Sequence, residues 1–455
     1  MSKKIKFISS LAFIGFSIFF NTSSSFAVSL EEALKSALLS NEQFKILQES
    51  FLQNSEQLSR AVANSFMPKT NISASIGKNQ SDPRGIIYPN QTFSNSIQTT
   101  VPLFLGGAGL AQIKASHNEV MAAKYQYYKS EQDTILNLIN LYIDYHVANE
   151  VLKIRKASTT NASQNYQAVK EKVNLGEATK TDLAFAEANF LQAQTEELSS
   201  LATKENKYQE FATNFSVEPE ETKLPIINSE EFEDTAFLMN KGKKQNLDLK
   251  IYSHNLQSAG ANVAATVASN FSPKVSATGS LGTRSNVEDM DFTNFGGKNN
   301  VSWSLNINIP ILSNGGQEFS DVRAAKSKHR AQSFNLANAE KILKTNIQNF
   351  LSNYTTLQLS INSTKTVVDA QKLYVSGVEQ EYKLGNKSLL DLLQADSDLA
   401  KYQINYVQTL ANSIKSFYAL KSLVGELTAK KLRLGIKVFD PEKIYNRKKL
   451  GFISF

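Results

Sequence analysis

The feature that most constrains this chain is that it is written twice. "SFMPKTNIS", from Ser65, is echoed by "NFSPKVSAT", from Asn270. "VPLFLGG" from Val101 answers "IPILSNGG" from Ile309, and "NLGEATKTDL" from Asn174 answers "KLGNKSLLDL" from Lys383. Leu175-Gly176 and Leu384-Gly385 are 209 residues apart, as are Asp182-Leu183 and Asp391-Leu392. Several anchors at nearly one offset mark an internal duplication, so the fold is built from two similar halves.

The expected division is a leader over 1–27, a first repeat over 28–215, a linking segment over 216–235, a second repeat over 236–425 and a basic tail over 426–455. In the leader, Lys3, Lys4 and Lys6 precede the apolar run "FISSLAFIGFSIFF", and Ser25-Phe26-Ala27 offers small residues at a cleavage site. That run falls short of the roughly 20 residues a spanning helix needs, so it reads as a secretory signal. Pro219 and Pro225 break the helical pattern between the halves.

Each half has the same order of elements. A helix opens it, with Ser29 and Glu32 forming a capping box in the first half. Phe-x-Pro-Lys ends that helix, and alternation of period two follows. Ile72, Ala74 and Ile76 share one face against Asn71, Ser73 and Ser75; Phe93, Ile97, Val101 and Leu103 oppose Ser94, Ser96, Gln98 and Thr100. The second half repeats this with Val275, Ala277 and Leu281, then Val301, Trp303, Leu305, Ile307 and Ile309. After each Gly-Gly a long helix runs to the Leu-Gly turn and another runs back. Seams at Leu138, Leu141, Tyr145, Ala148 and Leu152, and at Ile347, Phe350, Tyr354, Leu357 and Ile361, step by three and four as in coiled-coil packing.

Strands of this length with clean Ser, Thr, Asn and Gln faces, behind a secretory signal, fit an outer-membrane barrel. Four strands cannot close one, and open edges are not tolerated in lipid. Copies of the chain must therefore combine, and three give twelve strands around a pore. Pro68, Pro102, Pro273 and Pro310 are expected at the four helix–strand junctions, where a missing N–H and a fixed φ suit the change of structure.

Other chemistries are thinly represented. There is no Cys, which excludes disulfides, thiolate metal sites and Cys nucleophiles. His117, His146, His254 and His329 show no metal-ligand spacing, and no nucleophile–base pair stands out. The net charge of +7 resides in the leader and in the segment Lys430 to Lys449, leaving a slightly acidic body. That distribution argues against nucleic acid, and the tail reads as a solvated or anion-facing segment.

This layout resembles the TolC family of outer-membrane efflux proteins over nearly the whole mature chain, from about Ser29 to Gly425. The resemblance implies a homotrimer with a shared twelve-stranded β-barrel, an α+β membrane protein continued by a long coiled-coil tunnel across the periplasm. It implies no enzymatic activity, no cofactor and no metal. It implies an exit duct for a tripartite efflux pump or a type I protein secretion system, with a periplasmic adaptor and an inner-membrane transporter as partners.

By resemblance, Asp182 with Thr181 holds the closed state against a neighbouring helix, with Tyr382 and Lys387 as partners. The best-known member has Arg where Lys387 stands, which removes a bidentate fork. Asp391 matches the first carboxylate of an entrance ring that favours cations, and Gln394 stands where a second is expected. Leu175, Gly176, Leu384 and Gly385 match the adaptor-docking tips. Helix capping is a second role open to Asp182 and Asp391, seam packing to Tyr382, and simple turn formation to the Leu-Gly pairs. A trimeric surface-anchored coiled-coil adhesin or stalk is the alternative reading of the whole chain.

Overall fold

The computed structural model describes residues 29–79, 90–216, 221–227, 232, 235–286, 300–435 and 439–450. The leader, most of both strand-connecting loops, Pro219, Asp289 and Asp291 lie outside the described residues.

The opening helix of each half is in fact two helices. In the first half, α1 (Leu30–Ser40) and α2 (Glu42–Phe66) meet at Asn41, whose side chain accepts the Gln43 N–H at 2.8 Å. In the second, α5 (Thr235–Gln245) and α6 (Leu247–Phe271) meet at Asn246, which accepts from Leu249 N at 3.0 Å. Asparagine satisfies the orphan donors of a helix start, so each restarts the helix without a Pro or Gly. Ser29 and Glu32 form the expected capping box at α1.

Four strands form one antiparallel sheet in the order β1-β2-β3-β4: β1 (Lys69–Asn79), β2 (Asn90–Phe104), β3 (Lys274–Asn286) and β4 (Asn300–Asn308). The register sets Ile72 opposite Ile97 and Ile97 opposite Leu281, so the apolar residues of both halves share one face. The other face carries hydroxyl pairs: Ser73 with Ser96 at 2.9 Å, Ser75 with Ser94 at 2.8 Å and Ser280 with Ser302 at 2.7 Å. Asn95 interrupts the apolar face and accepts a hydrogen bond from Thr283 on β3, so the two polar groups satisfy each other.

Pro68 and Pro273 lie between helix and strand, directly before β1 and β3, and Pro310 follows β4. Pro102 departs from the junction expected of it. It lies within β2, where the pairing with β3 shifts register between Pro102 and Phe104. A residue without an N–H is tolerated where a bulge interrupts the ladder, and the strand runs on to Phe104. The turn proper is Gly106-Gly107, both with positive φ; a Cβ on Gly106 would overlap the Ser272 side chain.

Beyond the turns run two helices of 67 residues each, α3 (Ala108–Asn174) and α7 (Gln317–Lys383). Each is about 100 Å long at 1.5 Å per residue. They return as α4 (Lys180–Phe215) and α8 (Leu389–Leu423). The main core is midway along them. Ile135, Leu138, Ile139, Tyr142 and Tyr145 of α3 pack with α1, Phe211, Phe215 and Ile414. Ile347, Leu351 and Tyr354 of α7 pack with Leu238, Phe417 and Leu420. Of the expected seams, Leu138, Tyr145, Ile347 and Tyr354 are buried in these clusters and Leu141 packs against the first, Leu357 and Ile361 are only half-buried, and Phe350 is 38% exposed.

The basic tail is docked where a solvated segment was expected. It forms a last helix, α9 (Pro441–Leu450), against α2 and α3. Phe439 packs on Phe51 and Tyr127, Glu442 takes Lys124 at 2.6 Å, and the Tyr445 hydroxyl meets His117 Nδ1 at 2.6 Å. Two aromatic anchors and one ion pair outweigh the charge carried by the segment.

Candidate functional site

The end of the helices farthest from the sheet is where the duplicated turns meet. Gly176 and Gly385 have φ of 78° and 81° and close the turns after α3 and α7, the left-handed position that favours glycine. Leu175 and Leu384 project there, 73% and 76% exposed, where a buried turn residue would be covered. Four residues past each Gly-flanked Leu, a hydroxyl residue starts the return helix.

Those hydroxyl residues are Thr179 and Ser388. Thr179 Oγ1 accepts from Asp182 N at 3.1 Å, while its own hydroxyl and N–H donate to Asp182 Oδ2 at 2.7 and 3.1 Å. Ser388 and Asp391 repeat the pattern, with 3.2 Å from Asp391 N and 2.7 and 3.1 Å to Asp391 Oδ2. Both are capping boxes, in which the hydroxyl residue is the N-cap and each Asp is the third helical residue, three positions past the N-cap role considered for it. The Thr179 hydroxyl and then its N–H hold the Asp182 carboxyl below the usual range. Ser388 does the same for Asp391, and the Lys387 charge adds to it. The T-x-x-D and S-x-x-D spacings carried this signal in the sequence.

The two hairpins are joined just behind the turns. Val169, Ala186, Leu389 and Leu393 form one apolar cluster, with Tyr166, Leu183 and Tyr382 packed against it. Tyr382 also leans on Val378, Leu392 and Ala395, and Lys172 of α3 sets its ammonium 4.7 Å from the Tyr382 ring centre. Leu183, the neighbour of Asp182, and Tyr382 thus pack against the same apolar cluster. The structure does not bond Asp182 to Tyr382 or Lys387 within the protomer, and Asp182 Oδ1 has no hydrogen bond among the described residues. Thr181 is exposed and makes no side-chain hydrogen bond among those residues.

Above this cluster a cavity of about 240 Å³ separates α3 and α4 from α8. Gln394, Asp396 and Ser397 line it opposite Arg155 and Glu196, which form an ion pair. Gln394 is exposed and lies one turn beyond Asp391. Burial pushes the Asp396 carboxyl up, a hydrogen bond from Asn165 opposes that, and Glu379 adds to it. Lys172, Thr179, Ser388 and the Arg155–Glu196 pair are the tip residues that sequence reasoning missed. The cation–π contact and the ion pair join residues far apart in the chain or on separate helices, and no local pattern announces them.

A four-stranded sheet with apolar and hydroxyl faces, carried on paired helices of about 100 Å, defines an outer-membrane channel with a periplasmic helical extension. Comparison with known proteins agrees. The outer membrane efflux protein family matches residues 33–210 and 238–426, one match in each half. The outer membrane efflux protein BepC of Brucella suis is 24% identical over 77% of this chain and 75% of its own length. The outer membrane protein TolC of Vibrio cholerae is 21% identical over 80% of this chain and 83% of its own. The crystal structure of the Campylobacter jejuni CmeC outer membrane channel superposes with a TM-score of 0.77 at 19% identity, covering 98% of this chain and 97% of that one.

The chain belongs to the outer membrane efflux protein family. It is an efflux exit duct of the outer membrane with a large periplasmic portion, which sets the adhesin or stalk reading aside.

Proposed function

We propose that three copies of this chain close a twelve-stranded barrel and one helical tunnel, gated at the helical tips, where a periplasmic adaptor and an inner-membrane transporter engage. The observation that carries this is the open sheet. β1 and β4 each have one unpaired edge, and Ile72, Val301, Trp303 and Ile307 are more than 60% exposed beside them. Backbone groups left bare in lipid cost several kcal/mol each, so neighbouring copies must pair these edges. Exposed Leu191, Leu198 and Leu201 on α4, with Phe334, Leu359 and Leu373 on α7, supply narrow apolar stripes for the helical wall.

At the tips, Asp182 can act twice. Oδ2 caps its own helix, and Oδ1 accepts from Lys387 of an adjacent hairpin in the closed state. Lys387 is a point charge, so this latch is weaker than a bidentate one. Asp391, fixed by Ser388, forms a ring of one carboxylate per copy at the entrance, with Gln394 as a neutral second ring. The exposed Leu175-Gly176 and Leu384-Gly385 turns are the surface offered to the adaptor.

Purified mature protein is expected to run as a trimer in detergent and to show small, mostly closed conductance in a planar bilayer. Neutralising Asp182 and Lys387 together should raise the open fraction. A monomer, or a wide permanently open pore, would count against the proposal, and an unchanged open fraction in the double variant would remove the latch.

A further inference from the structure

The last helix climbs toward the membrane. Phe439 packs on Tyr127 of α3 and Phe51 of α2, Glu442 takes Lys124, and Tyr445 meets His117 and packs with Val120 and Leu58. As α9 advances, its partners on α3 fall from Tyr127 to His117, while those on α2 rise from Phe51 to Leu58. α3 starts at the sheet and α2 ends there, so both trends lead to the foot of the barrel. His117 is nine residues past the start of α3, about 14 Å at 1.5 Å per residue. Four more residues carry α9 about 6 Å beyond Tyr445. The backbone of Lys449 is then roughly 8 Å from the level where α3 begins, about one Debye length in physiological salt.

The residues at the foot mark the level of the lipid headgroups. Phe66 and Phe104 are exposed there. Each Pro-Lys hinge also puts a lysine, Lys69 or Lys274, at the first position of a strand. Aromatic rings and basic side chains that flank an apolar barrel face sit where hydrocarbon gives way to headgroups.

The charges of α9 are sorted along its length. Asp440 and Glu442 stand at its start, and Lys443, Arg447, Lys448 and Lys449 follow toward the barrel. Beside its upper part, α2 contributes Glu56 and α3 contributes Glu119, which accepts from Ser258 at 3.0 Å. A helix macrodipole favours that order of charges by itself. It gives no reason for what comes next. Beyond the described residues the sequence continues Gly451-Phe452-Ile453-Ser454-Phe455, three large apolar side chains behind a run of cations. A short apolar insertion and a basic patch each hold a membrane surface poorly alone, and together they hold it firmly.

We propose that the end of α9 and residues 451–455 dock on anionic phospholipids of the periplasmic leaflet, the cations on the phosphates and Phe452, Ile453 and Phe455 among the acyl chains. The inference rests on the closed barrel of three copies. Three tails on the inner side would stand in the passage, so α9 belongs to the outer side, below the lipid-facing sheet. Each assembly then holds the leaflet at three points around the barrel foot and gains avidity.

The chain has no Cys, so Ser454→Cys offers a single site for a nitroxide label. The labelled mature protein is first sized in detergent, so that a failure of the trimeric barrel is told apart from a failure of this contact. It is then reconstituted into phosphatidylcholine with or without phosphatidylglycerol. In the anionic bilayer the label should collide with oxygen and be shielded from a water-soluble nickel chelate; in phosphatidylcholine alone it should return to water. Arg447→Gln, Lys448→Gln and Lys449→Gln together should lower the ratio of immersed to exposed label at least tenfold, at about fivefold per cation. A label at Lys443→Cys, exposed and lower on α9, should stay in water in both bilayers. If the triple variant fails to assemble, the two lipid compositions decide the matter on one and the same protein. A Ser454 label open to nickel in both bilayers would overturn the proposal. So would a label shielded from both reagents, which would bury the tail in protein, or equal immersion with and without phosphatidylglycerol.

Discussion

Lys172 holds its ammonium 4.7 Å from the centre of the Tyr382 ring, so the last turn of α3 is tied to the last turn of α7 across the two hairpins. An exposed cation–π contact contributes about 0.5–1 kcal/mol. Lys172→Gln should therefore raise the open-to-closed ratio about two- to fivefold per protomer in bilayer recordings. Tyr382→Phe keeps the ring and should leave that ratio nearly as it was. A large effect of Tyr382→Phe would place the closing interaction on the hydroxyl instead.

The capping boxes separate two roles of the tip aspartates. Thr179→Ala and Ser388→Ala remove the hydroxyl from each box and leave the carboxylate charge in place. Each should cost about 1 kcal/mol of helix stability and speed amide exchange in the first turn of α4 or α8. Conductance should change less than in Asp182→Asn. Equal changes in both variants would mean that Asp182 acts only by starting its helix.

Glu131 is a carboxyl with 2% exposure, packed beneath the tail, with Ala429 N–H as its donor and Tyr127 and Tyr128 nearby. Burial raises it from 4.5 to about 7, against the Ala429 bond. The folded state therefore holds a proton that the unfolded chain releases. The stabilisation is complete below about 4.5 and is lost as pH rises through about 7. At most roughly 3 kcal/mol is at stake, by 1.36 kcal/mol per pH unit. Thermal inactivation should become easier from pH 5 to pH 8, and Glu131→Gln should flatten the slope. A parallel slope in that variant would assign the effect to another group.

Gly106→Ala should be worse than Gly107→Ala. Both positions have positive φ, which costs an L-residue roughly 1–2 kcal/mol. Only at Gly106 would the new methyl overlap Ser272, at the hinge of the other half. The expected readout is a lower yield of assembled protein for the 106 variant than for the 107 variant. Equal yields would show that the turn can move away from α6.

Much of this was legible because duplication and periodicity are local signals. Leu138, Tyr145, Ile347 and Tyr354 are buried at the spacing read from the chain, and the alternating residues near Ser73 and Ser280 became paired strands. Asn41 and Asn246 hid their helix breaks because each interrupts an apolar period with no Pro or Gly. The tail misled for a different reason. Its charge argued for water, whereas Phe439 and Tyr445 supply the packing, and only the fold brings Phe51 and His117 to meet them. Lys172 and Tyr382 are likewise over 200 residues apart, beyond the reach of any spacing rule.

The unpaired edges of β1 and β4 also bear on how such a protein reaches its place. A barrel written within one chain can enter lipid by itself, at a rate that does not depend on how many copies are present. Here no single chain owns a closed wall, so insertion waits on encounters between protomers. Its rate should climb steeply, up to the third power, with their concentration. Scarcity would then leave the chains stranded in the periplasm with their Ile72 and Trp303 faces uncovered.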